Sequence, residues 1–118
     1  MSLPVSDRSI FDPDDLMERM MGDIVLAKSI AEIFLTDIRS RIDLLKDRLN
    51  ENDIRGAELL AHSINGSAAN MAAMKLQKVA SRIEKASRTN DLSTALSLLA
   101  ELDNRFTEVE KEIREIIL

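Results

Sequence analysis

Apolar residues recur every three to four positions along most of the chain, which is the spacing of amphipathic helices rather than of strands. Both prolines lie within the first 13 residues, so about 100 residues follow without a strong helix breaker. Short polar loops separate the apolar segments, which favours antiparallel neighbours. The pattern predicts an all-α protein, an antiparallel up-down four-helix bundle with a short additional N-terminal helix.

Aspartates mark the predicted helix starts, because a side-chain oxygen at the N-cap can accept a hydrogen bond from a backbone N–H of the first turn. Asp12 precedes Pro13, which suits the first helical position, and this first helix is predicted to run to about Met21 and stop at Gly22. The second helix is predicted as one long helix, or as two with a bend near Thr36. The other predicted spans are Asp23 to Asn50, Asn52 or Asp53 to Met71–Ala73, a fourth helix through Leu76 that ends at Thr89, and Asp91 to Ile116.

The length of 118 residues is enough for one domain and too short for two. Residues 1–10 are predicted to be a partly disordered lead-in, and residues 11–118 to form one helical bundle domain. Apolar residues make up 45% of the chain, with three phenylalanines and no tryptophan or tyrosine, so the core is expected to be mostly aliphatic.

The net charge is −5 and basic residues form no cluster, which argues against binding to nucleic acid or to anionic membranes. Cysteine is absent, so disulfides, thiolate metal sites and cysteine nucleophiles are excluded. The sequence contains no signal peptide and no long apolar run. We therefore expect a cytoplasmic protein.

The single histidine, His62, lies in the third predicted helix. At 100° per residue, the stripe expected to face the core lies opposite it, so the imidazole is predicted to point into solvent. Gly66, one turn later, cannot shield the ring, and a glycine within a helix costs about 1 kcal/mol relative to alanine, which calls for an explanation. The predicted core stripe is Leu60, Ile64, Ser67 and Met71, and the face of His62 also carries Arg55, Glu58, Leu59, Ala69 and Ala73.

Several classes of chemistry find no support in the sequence. Three isolated glycines form no phosphate-binding loop, so no ATP site is visible. A single histidine cannot build a paired-histidine metal site, and Leu59 stands where a Glu-x-x-His motif would need its glutamate, so no metal site is predicted. No activated serine for a catalytic triad is evident. What remains is a neutral imidazole that acts as a nucleophile, accepts a labile group and passes it on.

The segment from Ala61 to Ala73, AHSINGSAANMAA, resembles the signature of histidine phosphotransfer (HPt) domains, A-H-x-[LI]-K-G-S-[SA]-A-N-[LM]-G-A. The resemblance extends over roughly residues 10–117. Asn65 stands where the family usually has lysine, and Ala72 stands where it has glycine, a small-for-small exchange that we expect to be harmless. Further matching segments are Phe34-Leu35-Thr36-Asp37, Leu76, Ile83-Glu84-Lys85-Ala86 and Asp91-Leu92.

The resemblance implies a four-helix bundle that carries a phosphoryl group on His62 between receiver-domain aspartates. It implies no kinase activity and no cofactor, since the magnesium ion would belong to the receiver. The implied partners are response-regulator receiver domains, a hybrid sensor histidine kinase, or both. Nucleic acid and membranes are not expected as partners, and a monomer is expected.

The resemblance also implies residue roles. Glu84, 22 positions after His62, would accept a hydrogen bond from imidazole Nδ1–H, fixing the tautomer that leaves Nε2 as the nucleophile. Gly66 would make room for the phosphoryl group. The expected phosphoryl environment is Asn65, Arg88 and Arg82, and the expected docking patch is Arg55, Glu58, Leu59, Ala69 and Ala73.

Two rival functions stay open at this point. The missing lysine supports a degenerate HPt-like bundle that binds receiver domains without carrying phosphate. The dimerisation domain of a sensor kinase also presents a histidine on a helix, but it typically has an acid directly after the histidine and a proline five residues later. Ser63 and Ser67 occupy those positions here.

Overall fold

The computed structural model describes Leu3, Val5 and residues 7–118. The described residues are helical in six segments, and the predicted all-α bundle with a short N-terminal helix is confirmed. Helix α3 packs most extensively against α4 and then against α2, and α6 lies against both α2 and α4. The segments are α1 (Pro13–Arg19), α2 (Ile24–Asn50), α3 (Ile54–Asn70), α4 (Met74–Arg88), α5 (Leu92–Ser97) and α6 (Leu99–Ile116).

Four helices begin at the aspartates that the sequence marked as N-caps. Each carboxylate accepts a hydrogen bond from the backbone N–H three residues later, which satisfies one of the free donors of the first turn. The second helix is a single helix without a break near Thr36. The capping pairs are Asp12 with Asp15, Asp23 with Leu26, Asp53 with Gly56, and Asp91 with Thr94.

The turn between α3 and α4 corrects the expectation that Ala72 is a harmless exchange for glycine. Ala72 has φ of +58°, a left-handed backbone conformation that disfavours residues with a Cβ. Its N–H donates to Ala69 O and the N–H of Ala73 donates to Ala68 O, the paired hydrogen bonds of a Schellman helix end. The methyl group of Ala72 therefore adds strain that glycine would avoid.

The prediction of one continuous fifth helix is wrong in its first third, where Leu98 separates α5 from α6. The N–H of Leu98 donates to the carbonyl of Ala95, three residues back instead of four. The hydroxyl of Ser97 donates to the carbonyl of Thr94 at 2.7 Å. Such side-chain competition for backbone carbonyls tightens and bends helices.

The N-terminal segment crosses the end of the bundle where α3 gives way to α4. Backbone N–H groups of Asp12 and Lys75 donate to the carbonyls of Ala72 and Ser9, respectively. Phe11 is fully buried. The predicted lead-in thus contributes a backbone contact to the bundle through Ser9, and its residues 1, 2, 4 and 6 lie outside the described residues.

The buried stripe of α3 differs from the predicted one. Ile64 and Met71 are buried as predicted, but Leu60 and Ser67 are only half-buried. The stripe is rotated toward α4, the helix against which α3 packs most extensively. Its small residues allow close approach of the neighbouring helices, and they are Ala57, Ala61 and Ala68, all fully buried.

Candidate functional site

His62 lies in the middle of α3 and points away from the core, as its position on the helix predicts. Its side chain is 74% exposed. A Cβ placed on Gly66, one turn later, would meet no atom within 4 Å, so open space adjoins the ring. The imidazole can therefore be reached by a large partner molecule.

Glu84 projects from α4 toward the imidazole, and its Oε2 lies 2.9 Å from Nδ1 of His62. The carboxylate can only accept hydrogen bonds, so Nδ1 carries the proton and donates. In the neutral ring this leaves the lone pair on Nε2. The contact is the one that the family resemblance implies, and it gives the ring one orientation and one tautomer.

The Glu84 side chain is 11% exposed and is held by donors from two helices. Asn65 Nδ2 donates to its Oε1 at 3.2 Å, and Arg88 Nη2 donates to its Oε2 at 2.9 Å. Burial on its own would raise the pKa of Glu84, but the hydrogen bonds from Asn65 and His62 and the charge of Arg88 outweigh it. The pKa of this carboxyl therefore lies below its usual value, and the group is an anion at neutral pH.

A chain of ion pairs continues from Glu84 along the α3–α4 seam. Arg88 Nε lies 3.5 Å from Glu58 Oε2, and Arg55 Nη1 lies 3.0 Å from Glu58 Oε1. Arg88 remains 58% exposed. Its guanidinium is thus held one helical turn from Glu84, beside His62 and open to solvent.

Arg82, predicted to belong to the phosphoryl environment, points elsewhere. Its Nη1 pairs with Glu101 Oε2 of α6 at 3.2 Å. Two residues along a helix correspond to about 200°, so Arg82 and Glu84 project from opposite sides of α4. The prediction for Arg82 is therefore wrong, and the cation beside Glu84 is Arg88.

The predicted docking residues divide by exposure. Leu59 is 56% exposed and Arg55 is exposed, whereas Glu58 and Ala69 are half-buried. Ala73 is fully buried beneath the turn that follows α3, so its assignment to the docking patch is wrong. The reason is that the helix ends at Asn70, so helical spacing no longer describes position 73.

One exposed apolar residue near this face was missed by the sequence analysis. Ile33 of α2 is 67% exposed and borders a concavity shared with Ser67 and Asn70 of α3. The signal was available from helical spacing, because Ile33 lies about 100° and 200° around α2 from the buried Phe34 and Leu35 and so falls at or beyond the edge of the apolar face.

The described residues support neither a membrane span nor a clustered metal site. None of the helices in the described part of the chain has the length and apolar character needed to cross a membrane. Within the same part of the chain, histidine, aspartate and glutamate side chains form no group of three or more suited to a metal ion.

Comparison with known proteins places the chain in a family. Residues 29–112 match the family model of the Hpt domain. Among curated proteins, the chain is 25% identical over 101 residues to the phosphorelay intermediate protein rdeA of Dictyostelium discoideum. The match covers 86% of this chain and 40% of that relative, so the chain spans about two fifths of its length.

Two solved structures share the fold. Histidine-containing phosphotransfer protein B (HptB) of Pseudomonas aeruginosa PAO1 superposes with a TM-score of 0.80 at 23% identity, covering 94% of this chain and 91% of that one. The HPT domain of a sensor hybrid histidine kinase from Shewanella gives 0.73 at 19% identity, covering 95% and 100%. At sequence identities of 23% and 19%, these similarities show a shared fold alone.

Proposed function

Since the chain belongs to the Hpt domain family and is a histidine phosphotransfer module of two-component signalling, we propose that His62 is the residue that carries the phosphoryl group. The observation that carries this proposal is the hydrogen bond of 2.9 Å between Nδ1 of a largely exposed imidazole and the buried carboxylate of Glu84. It leaves Nε2, the nucleophilic nitrogen, directed at solvent.

The proposed transfer starts from an aspartyl phosphate of a receiver domain. The lone pair on His62 Nε2 attacks phosphorus, an N–P bond forms, and the acyl P–O bond breaks with its electron pair going to the aspartate. The proton on Nδ1 stays in its hydrogen bond to Glu84, whose negative charge stabilises the cationic ring that develops. The reverse sequence delivers the group to a second receiver aspartate.

We propose that this chain supplies few of the groups that assist the transfer and that the receiver domain supplies the others. It has no kinase activity and no cofactor of its own in this proposal, and the magnesium ion that neutralises the transferring group belongs to the receiver. Arg88 is the proposed cation near the phosphoryl group, since it is exposed and lies one turn from Glu84. Gly66 leaves the space that the incoming aspartate requires.

We propose a receiver domain as the docking partner, either of a response regulator or of a hybrid sensor kinase. Leu59 and Ala69 on α3 would contact it, with Arg55 and Glu58 at the edge of the interface. The exposed Ile33 of α2 extends the apolar part of this surface. The chain would act as a monomer in the cytoplasm.

The test compares the wild-type chain with His62→Gln and with Ser63→Ala, a control on the adjacent position of α3. Each is incubated with a radiolabelled phosphorylated receiver domain, and separately with labelled ATP alone. We expect acid-labile, base-stable label on wild type and Ser63→Ala from the receiver, none from ATP, and none on His62→Gln. Circular dichroism should be unchanged, because His62 lies outside the core.

Label retained by a folded His62→Gln variant would exclude His62 as the carrier. A wild-type chain that binds the receiver without acquiring label would instead favour the degenerate module, for which the absence of the family lysine is the supporting observation. Transfer from ATP would contradict the proposed lack of kinase activity.

A further inference from the structure

The position where the family usually has lysine is occupied by a residue with a different contact. Asn65 lies three residues after His62 on α3, and its Nδ2 donates to Oε1 of Glu84 at 3.2 Å. The orientation of the amide is determined by chemistry, because a carboxylate accepts hydrogen bonds and would repel the amide oxygen. One N–H of the Asn65 amide is therefore engaged by Glu84.

The two oxygens of Glu84 are divided between partners. Oε2 accepts hydrogen bonds from Nδ1 of His62 and from the guanidinium of Arg88, at 2.9 Å each, whereas Oε1 accepts one from Asn65. A guanidinium readily binds both oxygens of one carboxylate, and Arg88 lies one turn away on the same helix. Rotation of the carboxylate toward Arg88 would take Oε2 out of line with the imidazole.

We propose that Asn65 is a positioning residue for the proposed reaction of His62. By holding Oε1 from α3, it prevents the carboxylate from turning toward Arg88 and keeps Oε2 on Nδ1 of the imidazole. The His62 ring thereby stays in the tautomer whose Nε2 is a free nucleophile. The inference rests on the proposed function of His62, but its structural part, control of the tautomer, can be measured without any phosphotransfer.

The chain offers a sharp set of variants. Asn65→Asp keeps the size of the side chain, removes the donor and brings a second carboxylate to Oε1, while Asn65→Ala removes the donor without adding charge. Asn65→Gln retains an amide and tests rescue. Asn104→Asp on α6 is the matched control, since Asn104 is exposed and the exchange changes the net charge equally.

The first measurement is the tautomer of His62 by nitrogen-15 NMR of the imidazole, with circular dichroism to verify folding. The imidazole signals can be assigned to His62 without further experiments, because the chain has a single histidine. We expect wild type, Asn65→Gln and Asn104→Asp to hold the proton on Nδ1. We expect Asn65→Asp and Asn65→Ala to shift toward the Nε2–H form that free histidine favours.

The second measurement is the rate of phosphorylation by phosphoramidate, a small donor that needs no docking surface. Asn65→Asp and Asn65→Ala should be slower by on the order of tenfold, the effect of losing about one hydrogen bond to a charged group. Asn104→Asp should match the wild type. An unchanged tautomer in both folded Asn65 variants overturns the proposal, as does a changed tautomer with an unchanged rate.

Failure of the proposed function gives a different result. If neither phosphoramidate nor a phosphorylated receiver labels wild-type His62, the proposal that His62 carries the phosphoryl group is contradicted. The tautomer shift in Asn65→Asp would still be measurable in that case and would still decide whether Asn65 positions Glu84.

Discussion

Helix α3 contains a glycine in its first turn and another in its exposed middle, and the two have different surroundings. A Cβ on Gly56 would overlap the carboxylate of Asp53, which caps the helix, and would lie 3.1 Å from Cδ of Arg48. A Cβ on Gly66 would meet nothing within 4 Å. The fold therefore accounts for Gly56 but not for Gly66, for which we propose the access that it gives to His62 as the explanation.

The turn that follows α3 strengthens this contrast. Ala72 adopts a left-handed conformation in which glycine would be less strained, yet it is not glycine. Helix α3 thus has a glycine at position 66, where the backbone does not need one, while the turn after it has alanine at position 72, where the backbone would favour glycine. The distribution of glycine around this helix does not follow backbone conformation alone.

The largest expected effect concerns access at position 66. Gly66→Leu should reduce phosphotransfer from a receiver by about 100-fold, since a misplacement of about 1 Å at a reacting centre can cost that much. The thermal midpoint Tm should not fall, because the added side chain meets no protein atom within reach of its Cβ. The initial rate of transfer and the melting curve are measured on the same preparation.

Gly66→Ala serves as the control, because a methyl group fills much less of the space beside His62. A folded Gly66→Leu variant that transfers at the wild-type rate would remove the functional explanation of this glycine. The presence of glycine at position 66, where the fold does not require it, would then need an explanation other than access to His62.

The next effect is on stability and compares the two glycines directly. Gly66→Ala should raise the free energy of unfolding by up to about 1 kcal/mol through helix propensity. Gly56→Ala should give no net gain, because the added methyl group displaces the Asp53 cap, and losing such a cap costs about 1 kcal/mol. Urea unfolding of both variants measures the difference.

A double-mutant cycle tests the reason that we give for Gly56. In an Asp53→Ala background the carboxylate is gone, so Gly56→Ala should recover part of the stabilisation seen at position 66. Equal effects of the two glycine substitutions in the wild-type background would contradict the contrast.

The smallest expected effect lies at the turn after α3. Ala72→Gly should raise the free energy of unfolding by about 0.5 kcal/mol, because relief of roughly 1–2 kcal/mol of left-handed strain is partly offset by the greater unfolded-state freedom of glycine. Asn90 has a similar φ of +59° but tolerates it better as an asparagine, so Asn90→Gly is the comparison variant and should gain less. A loss of stability in Ala72→Gly would show that strain at this turn is not significant.

Sequence reasoning succeeded where the decisive interaction is local. The aspartate caps join residues three apart, so their effect depends on little beyond the segment itself. The exposure of His62 follows from its position relative to an apolar stripe on the same helix. The prediction failed at Leu98 although the hydrogen bonds at the junction of α5 and α6 are also local, because it rested on apolar spacing, which continues through the junction.

By itself, the sequence therefore determined the helical segments apart from the break at Leu98, the four starts capped by aspartate and the outward direction of the one histidine. The caps and the direction of the histidine depend on neighbours within about a turn of helix. The tertiary structure decided the partners of Glu84. Asn65 and His62 reach it across 19 and 22 positions of the chain, Arg88 reaches it along α4, and Arg82 turns away to Glu101. The contacts of Asn65 and His62 depend on the rotation and register with which α3 packs against α4, and the contact of Arg82 depends on how α4 packs against α6. Helical periodicity within one helix fixes neither arrangement.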